Sequence, residues 1–386
     1  MNSTSASVGG GGSIEFWSSV EYATFQQGLV HELGLAGWRA EHRFEVSQAD
    51  YWAARSRASR FSLRAKTYAL YPLRLAARFS AQHRMRIGVV CTNTFYAPWI
   101  ATLRLGRRGP PVVHWVFDLF PDVLIQAGAM RPGSWWEQRL RGLVRATFDR
   151  AAVNVFLGER LRSYAETQFG PIPRSVVIPV GCDARPFAQT PPVSRAVDQP
   201  VRALYCGNLG RMHDVDTLVG ALHGGLPETL EVNFRGNGAG FRLLEDAVQE
   251  RNLGGRVSVG GNLKEADWIA AMRGADVALV TMKPGAEGVV MPSKTYSALA
   301  AGQAVVAICP EASDLADTIR THDCGWVVAP GDVNRLSRLF ADIVNRPDEL
   351  LLRRQNAWRA GQQVFDQRVL AKAWIAVLEN ALKQKE

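Results

Sequence analysis

No apolar run in the chain reaches the ~18 residues that a membrane-spanning helix requires, so the sequence offers no spanning segment. Cysteine is scarce. The 5 in the chain, Cys91, Cys182, Cys206, Cys309 and Cys324, are scattered in apolar surroundings without CxxC spacing. Free thiols in a reducing cytoplasm explain them better than disulfides or a metal site. The opening residues, 1–13, lack both the basic start and the apolar core of a secretory signal and read as a flexible Ser/Gly-rich lead-in. Neither glycine-rich turn fits GxGxxG followed by an acidic residue at the right distance, which argues against simple NAD chemistry.

What is present is an ordinary globular composition with an uneven charge. The 386 residues are 47% hydrophobic and carry a formal net charge of +9, a length that suits two domains. Residues 1–200 hold 24 Lys and Arg against 14 Asp and Glu, whereas the remainder holds 21 against 22. Much of the excess lies at Arg55, Arg57, Arg60, Arg64, Lys66, Arg74, Arg78, Arg84 and Arg86, interleaved with Phe61, Leu63, Tyr68, Leu70, Tyr71, Leu73, Leu75 and Phe79. A basic amphipathic segment of this kind suits an anionic membrane surface. The plainer alternative is a solvated helical face on a basic protein. Charge alone would also suit nucleic acid, but no recognisable nucleic-acid-binding module accompanies it, and no such partner is expected.

Short β-rich runs alternate with helical patterns along the whole chain, the signature of parallel α/β architecture. In the first half, strands are expected at Ser13–Trp17, Ile87–Cys91, Val112–Phe117, Val153–Leu157 and Ser175–Pro179, with a helix near Phe25–Gly37. The second half restarts the rhythm, with strands at Arg202–Cys206, Leu230–Phe234, Arg256–Val259, Ala275–Val280, Ala304–Ile308 and Gly325–Val328. The proline-rich stretch Gly181–Pro200 reads as a linker. The expected division is an acceptor-binding domain at 1–190, a nucleotide-sugar-binding domain at 191–365, and a C-terminal helix at 366–386 packing back on the first. In such sheets ligands bind at the carboxyl ends of the strands, so the loops there deserve the closest reading.

After Arg202–Cys206 comes Gly207-Asn208-Leu209-Gly210-Arg211-Met212-His213, then a helix. Glycines at a strand-to-helix turn let the backbone approach a phosphate, and Arg211 and His213 stand where cations would meet a diphosphate. A second such turn, Arg235-Gly236-Asn237-Gly238-Ala239-Gly240, follows the next strand. Single turns of this sort are common in α/β folds and do not by themselves mark a ligand site. The decisive element is Glu287-Gly288-Val289-Val290-Met291-Pro292-Ser293-Lys294, which leads into a helix ending at Ala300-Ala301-Gly302. There a carboxylate can accept hydrogen bonds from sugar hydroxyls, main-chain amides can hold phosphate oxygens, and Lys294 adds a mobile cation.

These segments resemble the family 4 retaining glycosyltransferases of the GT-B fold, and within them the bacterial branch that builds O-antigen, colanic acid and other exopolysaccharides. The resemblance also rests on Ile178-Pro179-Val180-Gly181-Cys182-Asp183, on Ala275-Asp276-Val277-Ala278-Leu279-Val280 and on Cys324-Gly325-Trp326-Val327-Val328-Ala329-Pro330-Gly331-Asp332. A thinner match in the first half is Trp115-Val116-Phe117-Asp118-Leu119-Phe120-Pro121-Asp122. It implies an α/β, GT-B fold: two Rossmann-like doubly wound parallel-sheet domains facing across a cleft. It further implies a hexosyl transfer with retention from a UDP- or GDP-linked sugar to a glycan or polyprenyl-linked acceptor, without a metal or other cofactor.

Carried over, the resemblance makes Glu287 a contact to the donor sugar, with Gly288, Val289 and Val290 binding phosphate through their amides and Gly207 and Gly210 shaping the pocket. Gly236, Asn237 and Gly238 belong to the same expected donor site. Where many members carry Arg and Lys in the first turn, this chain has Asn208 and, nearby, His213, so phosphate contact passes to Arg211 or Lys294. Where many carry a second, ribose-binding glutamate, it has Ser297. Asp118 occupies the loop that faces the donor sugar and would orient or deprotonate the acceptor hydroxyl. Alternatively Asp118 or Asp122 caps the following helix. His114 reads as structural, and Thr92-Asn93-Thr94-Phe95-Tyr96 as a sugar platform or an ordinary loop. The expected location is the cytoplasm, peripheral on the inner face of the membrane. Two rivals remain: a sugar-nucleotide epimerase of the same fold, and a catalytically silent scaffold that binds sugar nucleotides.

Overall fold

A computed structural model describes residues 2–6, 13–21, 23–54, 56–80, 85–104, 109–188, 191–196, 199–289 and 291–384. Arg55, Arg84 and Val290, all named above, lie outside the described residues, as does most of the expected lead-in. The chain divides into two compact units. The first comprises Met1–Val180, Gly288–Val290 and Gln367–Glu386, and the second Gly181–Glu287 and Met291–Asp366.

In the first unit the order is β1 (Asn2–Ala6), β2 (Ser13–Val20), α1 (Ala23–Leu35), β3 (Arg39–Val46), α2 (Gln48–Ala53), α3 (Arg57–Ala65), α4 (Tyr71–Ser80) and β4 (Met85–Cys91). Then come α5 (Ala97–Arg104), β5 (Val112–Val116), α6 (Asp122–Gln126), α7 (Trp135–Arg150), β6 (Val153–Phe156), α8 (Glu159–Phe169) and β7 (Ser175–Val177). A π-helical turn, Lys66–Leu70, joins α3 to α4. The sheet runs β1-β3-β2-β4-β5-β6-β7, parallel except for β1, which pairs antiparallel with β3. The pairing of Asn2–Ala6 corrects the flexible lead-in expected there: an edge strand draws its hydrogen bonds from main chain and needs no apolar pattern.

The second unit holds β8 (Val201–Asn208), α9 (Asp216–Gly224), β9 (Leu230–Asn237), α10 (Gly240–Glu250), β10 (Val257–Gly260), α11 (Glu265–Gly274) and β11 (Val277–Thr281). It continues with α12 (Lys294–Ala300), β12 (Ala304–Ile308), α13 (Asp314–Thr321), β13 (Gly325–Val328), α14 (Val333–Asn345) and α15 (Pro347–Gln363), before α16 (Gln367–Lys383) closes the chain. The sheet is wholly parallel, in the order β10-β9-β8-β11-β12-β13. Its central strands β11 and β12, VALVT and AVVAI, are buried at every position, as strands covered on both faces must be. Strand order reverses between β8 and β11, which makes the loops after those two strands a switch-point crevice.

Helix α16 is counted with the first unit, where Trp374 stacks edge-on against Trp115 at 4.7 Å and Phe16 at 6.0 Å. All three rings are almost fully buried. Each contributes on the order of 2 kcal/mol or more of hydrophobic stabilisation, so this aromatic cluster fixes the end of the chain against the sheet.

The basic segment is less uniformly free than its sequence implies. Arg74 is held by Glu45 at 2.7 Å, and Arg78 by the buried Glu15 at 2.5 Å, with Arg43 beside it. Among the described residues of this segment the exposed cations are Arg57, Arg60 and Arg64 on α3, Lys66 on the π turn and Arg86 on β4, and α3 has no buried residue at all.

Candidate functional site

The glycine turns after β8 and β9 lie side by side because their strands pair in register, Gly207 opposite Gly236 and Asn208 opposite Asn237. Leu209 donates its amide to the Asn237 carbonyl at 2.7 Å, and Gly240 donates to the Leu209 carbonyl at 3.1 Å. This closeness accounts for the second set of glycines. A Cβ at Gly236 would sit 1.9 Å from the Gly207 carbonyl oxygen, and one at Gly238 would sit 2.5 Å from that of Leu209. Gly236 and Gly238 therefore serve turn-to-turn packing, whatever else they touch. Gly207 is different. A Cβ there would meet only the Lys294 side chain, at 3.6 Å.

Lys294, the first residue of α12, reaches back over β8. Its Nζ donates to the Tyr205 hydroxyl at 2.5 Å and to the Asn208 carbonyl at 3.1 Å, and lies 4.1 Å from the centre of the Tyr205 ring. Tyr205 in turn donates its hydroxyl to the Asn208 carbonyl at 2.8 Å. No carboxylate compensates the enclosed ammonium, and burial lowers its pKa from 10.5 to about 7. His213 donates its amide to Gly210, while its Nδ1 is buried without a partner. Burial, then the charge of Lys294, lowers its pKa to about 3. His213 is thus neutral, which corrects the cation expected at that position; Arg211 remains an exposed one.

The loop after β11 is tied to the first turn by the Lys283 amide, which donates to the Met212 carbonyl at 3.0 Å. At its end stands Glu287, half-buried, whose Oε2 is enclosed without any hydrogen-bond partner. A buried polar atom left unpaired costs about 1–3 kcal/mol, more for a charged group. Ser297 lies half-buried one turn along α12 from Lys294. Gly288 and Val289 belong to the first unit, where Gly288 packs against Tyr164 too closely for any Cβ and the Val289 carbonyl accepts from the Leu119 amide at 3.3 Å.

The expectation that no Asp-x-Asp accompanies the phosphate loops is corrected by Asp214-Val215-Asp216, just after the first turn. It is used for folding. Asp214 is buried and accepts from both the amide and the hydroxyl of Thr217, whose Oγ1 accepts from the Gly331 amide at 2.7 Å. Among the described residues no group of His, Cys, Asp and Glu could hold a metal ion.

In the first unit the loop after β5 is fixed by Thr92, whose hydroxyl accepts from the amides of Phe117 at 3.0 Å and Asp118 at 3.1 Å. Burial pushes the Asp118 carboxyl up from 3.8 to about 6. The helix-capping alternative does not apply: α6 starts from Pro121 with no side-chain cap, and Asp122 is bound by Arg141 at 3.1 Å and the Tyr164 hydroxyl at 3.1 Å. Asp118, His114, Thr92, Phe95 and Phe120 line one small cavity. Asn154 spends its amide group on two carbonyls, so its Oδ1 accepts from His114 Nδ1 at 3.0 Å, a buried and structural bond. The aromatic loop is packed, with Phe95 set 4.9 Å from Tyr96, 5.4 Å from Phe120 and 6.4 Å from Tyr68. Sequence reasoning missed Tyr205, and it read Thr92 as part of a sugar platform or an ordinary loop rather than as the hydroxyl that fixes the Asp118 loop. The signal for Tyr205 was an aromatic residue two places before a glycine turn in an otherwise aliphatic strand.

Comparison with known proteins bears on these two halves separately. Residues 187–361 match the family described as glycosyl transferases group 1, and residues 22–181 match the glycosyl transferase 4-like domain. The chain carries two glycosyl transferase domains. It is 28% identical over 254 residues to the probable glycosyltransferase WbjE of Pseudomonas aeruginosa, a match spanning 62% of this chain and 60% of that protein's length. Sucrose-phosphate synthase from Thermosynechococcus elongatus has a similar structure, with a TM-score of 0.72 at 17% identity over 97% of this chain and 100% of its own. Anabaena HepE, solved in complex with UDP-glucose, gives 0.68 at 16% identity over 95% and 99%. At such identities the likeness concerns the fold, which is GT-B: two glycosyl transferase domains, each a doubly wound parallel sheet.

Proposed function

We propose that the protein transfers a hexosyl group, with retention and without a metal, from a UDP- or GDP-sugar to a glycan or polyprenyl-linked acceptor in the assembly of a bacterial surface polysaccharide. The observation that carries this reading is the unpartnered, enclosed Oε2 of Glu287 at the end of the loop that the Lys283 amide ties to the Gly207 turn. An acceptor-only oxygen held dry in a glycosyl transferase domain wants a hydroxyl donor, and a sugar supplies one. Lys294 and Arg211 are the cations of the expected donor set, to which the main-chain amides of Gly207, Gly210, Gly288 and Val289 also belong. In this reading Asp118, with its raised carboxyl, orients or deprotonates the acceptor hydroxyl. The charge left on the departing nucleoside diphosphate is met by cations and main-chain dipoles.

The same reading places the protein on the cytoplasmic face of an anionic membrane through α3, whose Arg57, Arg60 and Arg64 surround a Phe61 that is 75% exposed. No helix among the described residues is long and apolar enough to cross a bilayer. A UDP-sugar is the first donor to offer, since HepE shares the fold. The test is turnover of radiolabelled UDP- and GDP-sugars with a lipid-linked acceptor, with and without a chelator. Tight donor binding with no hydrolysis or transfer under any condition would move the protein to the silent-scaffold reading, which Asn208 and Ser297 keep open.

A further inference from the structure

Exposed apolar side chains in the described structure are mostly scattered singly, as on any soluble surface. Trp135 and Trp136 are not. They are adjacent, 55% and 69% exposed, and set edge to face with ring centres 4.6 Å apart. Arg139 lies over the Trp135 ring at 4.9 Å, and Arg131 is exposed nearby in sequence. Nothing in the fold explains the pair. Ser134 caps α7 and Glu137 ties the first turn to the Gly133 amide at 2.5 Å, so this end of the helix is rigidly built without burying either ring.

Topology tells which way this corner points. Helix α7 leads into the parallel strand β6, so its first turn lies by the carboxyl ends of the strands and its last by the amino ends. Asp122, just after β5, confirms the placement by binding Arg141 on the second turn of α7. Helix α4 likewise leads into β4, so α3 and the π turn before it are also at the carboxyl end. There the Tyr68 phenol feels the charge of Asp118, which, after burial and Tyr51, helps to raise its pKa. The carboxyl end of the first sheet therefore carries Phe61 and Tyr68 with Arg57, Arg60, Arg64 and Lys66 on α3 and the π turn, and Trp135 and Trp136 with Arg131 and Arg139 on or just before α7, all exposed.

We propose that Trp135 and Trp136 form a second bilayer contact, inserting at the headgroup level while the surrounding arginines meet anionic lipid, so that the carboxyl end of the first sheet faces the membrane. Indole rings favour this interface because one edge is polar and the body apolar. Charge complementarity selects the occupant: the patch holds cations and aromatics without an exposed acid on the first turn of α7, which suits anionic headgroups better than a second copy of an equally basic face. The inference rests on the membrane reading of α3 given above, and adds an orientation to it. It presents the acceptor side of the unit to a lipid-borne substrate.

The experiment uses the full chain, without donor or acceptor, and vesicles of phosphatidylcholine with or without phosphatidylglycerol, some with brominated acyl chains. The expected result is binding to the anionic vesicles with quenching of indole fluorescence by the bromines. The double variant W135S/W136S should keep its circular dichroism, lose most of the quenching, and bind about tenfold more weakly. The variant R57Q/R60Q/R64Q should lose salt-sensitive affinity yet still show quenching at saturating lipid. Unchanged binding and quenching in the tryptophan variant, with a fall in the arginine variant, would overturn the tryptophan contact and leave the α3 reading standing. Absence of any vesicle binding by the wild type would overturn both. Self-association of the wild type that the tryptophan variant abolishes, seen by sedimentation velocity, would assign the rings to a second copy of the chain instead. None of these readouts depends on sugar transfer.

Discussion

The ammonium of Lys294 lies 2.5 Å from the hydroxyl of Tyr205 and 4.1 Å from the centre of the same ring. A phenol and a carbonyl hold the cation, with no carboxylate bound to it, and burial leaves the lysine titrating near 7. Burial therefore disfavours the charged form, and in the proposed reading an arriving anion would restore it. Replacing Lys294 by Ala should lower kcat/KM by about a hundredfold or more if it meets the developing charge of the leaving diphosphate. Tyr205→Phe keeps the ring and removes the hydroxyl, and should cost only a few-fold. Equal losses in both variants would show that the cation acts only while the hydroxyl holds it, and an unchanged rate in Lys294→Ala would remove the cation from the mechanism.

The same lysine gives a signed pH dependence. Unfolded, it stays protonated up to about 10.5; folded, it loses its proton above about 7. Below 7 the folded state bears the whole cost of burying the charge. Between 7 and 10.5 the unfolded state binds more protons, so stability rises with pH across that window. The difference in melting temperature between wild type and Lys294→Met, taken without donor, should therefore shrink as pH rises from 7. Nucleoside diphosphate binding at about pH 8 should take up a proton, read by calorimetry in buffers of different ionisation enthalpy. Binding with no proton uptake there would detach Lys294 from the phosphate.

In the proposed reading Glu287 trades stability for binding. Its enclosed Oε2 has no partner, so Glu287→Gln should leave the fold intact and hold or raise the unfolding free energy, by up to about 1–2 kcal/mol. Transfer should fall by about a hundredfold, because the acceptor for sugar hydroxyls is weakened. A variant that melts early but transfers normally per folded molecule would make Glu287 a structural residue.

The two glycine turns separate packing from ligand contact. A methyl at Gly236 would overlap the Gly207 carbonyl at 1.9 Å, where only backbone could yield. Gly236→Ala should cost about 3 kcal/mol or more and melt the second unit early. Gly254, with nothing within 4 Å of its would-be Cβ, is the matched control and should change stability by under about 1 kcal/mol. Urea unfolding checks both.

These distinctions mark what sequence could carry. Strands β11 and β12 were legible because VALVT and AVVAI are apolar throughout. Strand β3 was not. Arg39-Ala40-Glu41-His42-Arg43-Phe44-Glu45-Val46 looks like solvated chain, yet Glu41 and His42 are buried; Arg43 of the same strand meets Glu41, and Arg74 of α4 meets Glu45. At the site, glycine spacing announced the two turns but not which glycines make room for main chain and which for ligand. That depends on the register of Gly207 with Gly236, which is tertiary. The neutrality of His213 is likewise invisible in one dimension, since it follows from burial beside Lys294.

Asp118 provides the last discriminating measurement. Its carboxyl is raised from 3.8 to about 6 by burial, close to working pH, as suits a group that takes or steers a proton. Acting as a base it must be ionised, so kcat/KM should climb as pH rises through about 6 and then level. Its stability contribution has the opposite sense: the folded state holds the proton more tightly, so stability is lost as pH climbs from about 4 to 6. Asp118→Asn should reduce the rate by about 10²–10³ and flatten the acid limb. The Thr92 hydroxyl, which fixes the Asp118 amide at 3.1 Å, offers a second reading of the same geometry. Thr92→Val should lower kcat while leaving the limb near 6, because the carboxyl persists but its loop is loosened. An acid limb that survives unchanged in Asp118→Asn would assign the titrating group elsewhere and return Asp118 to a structural part.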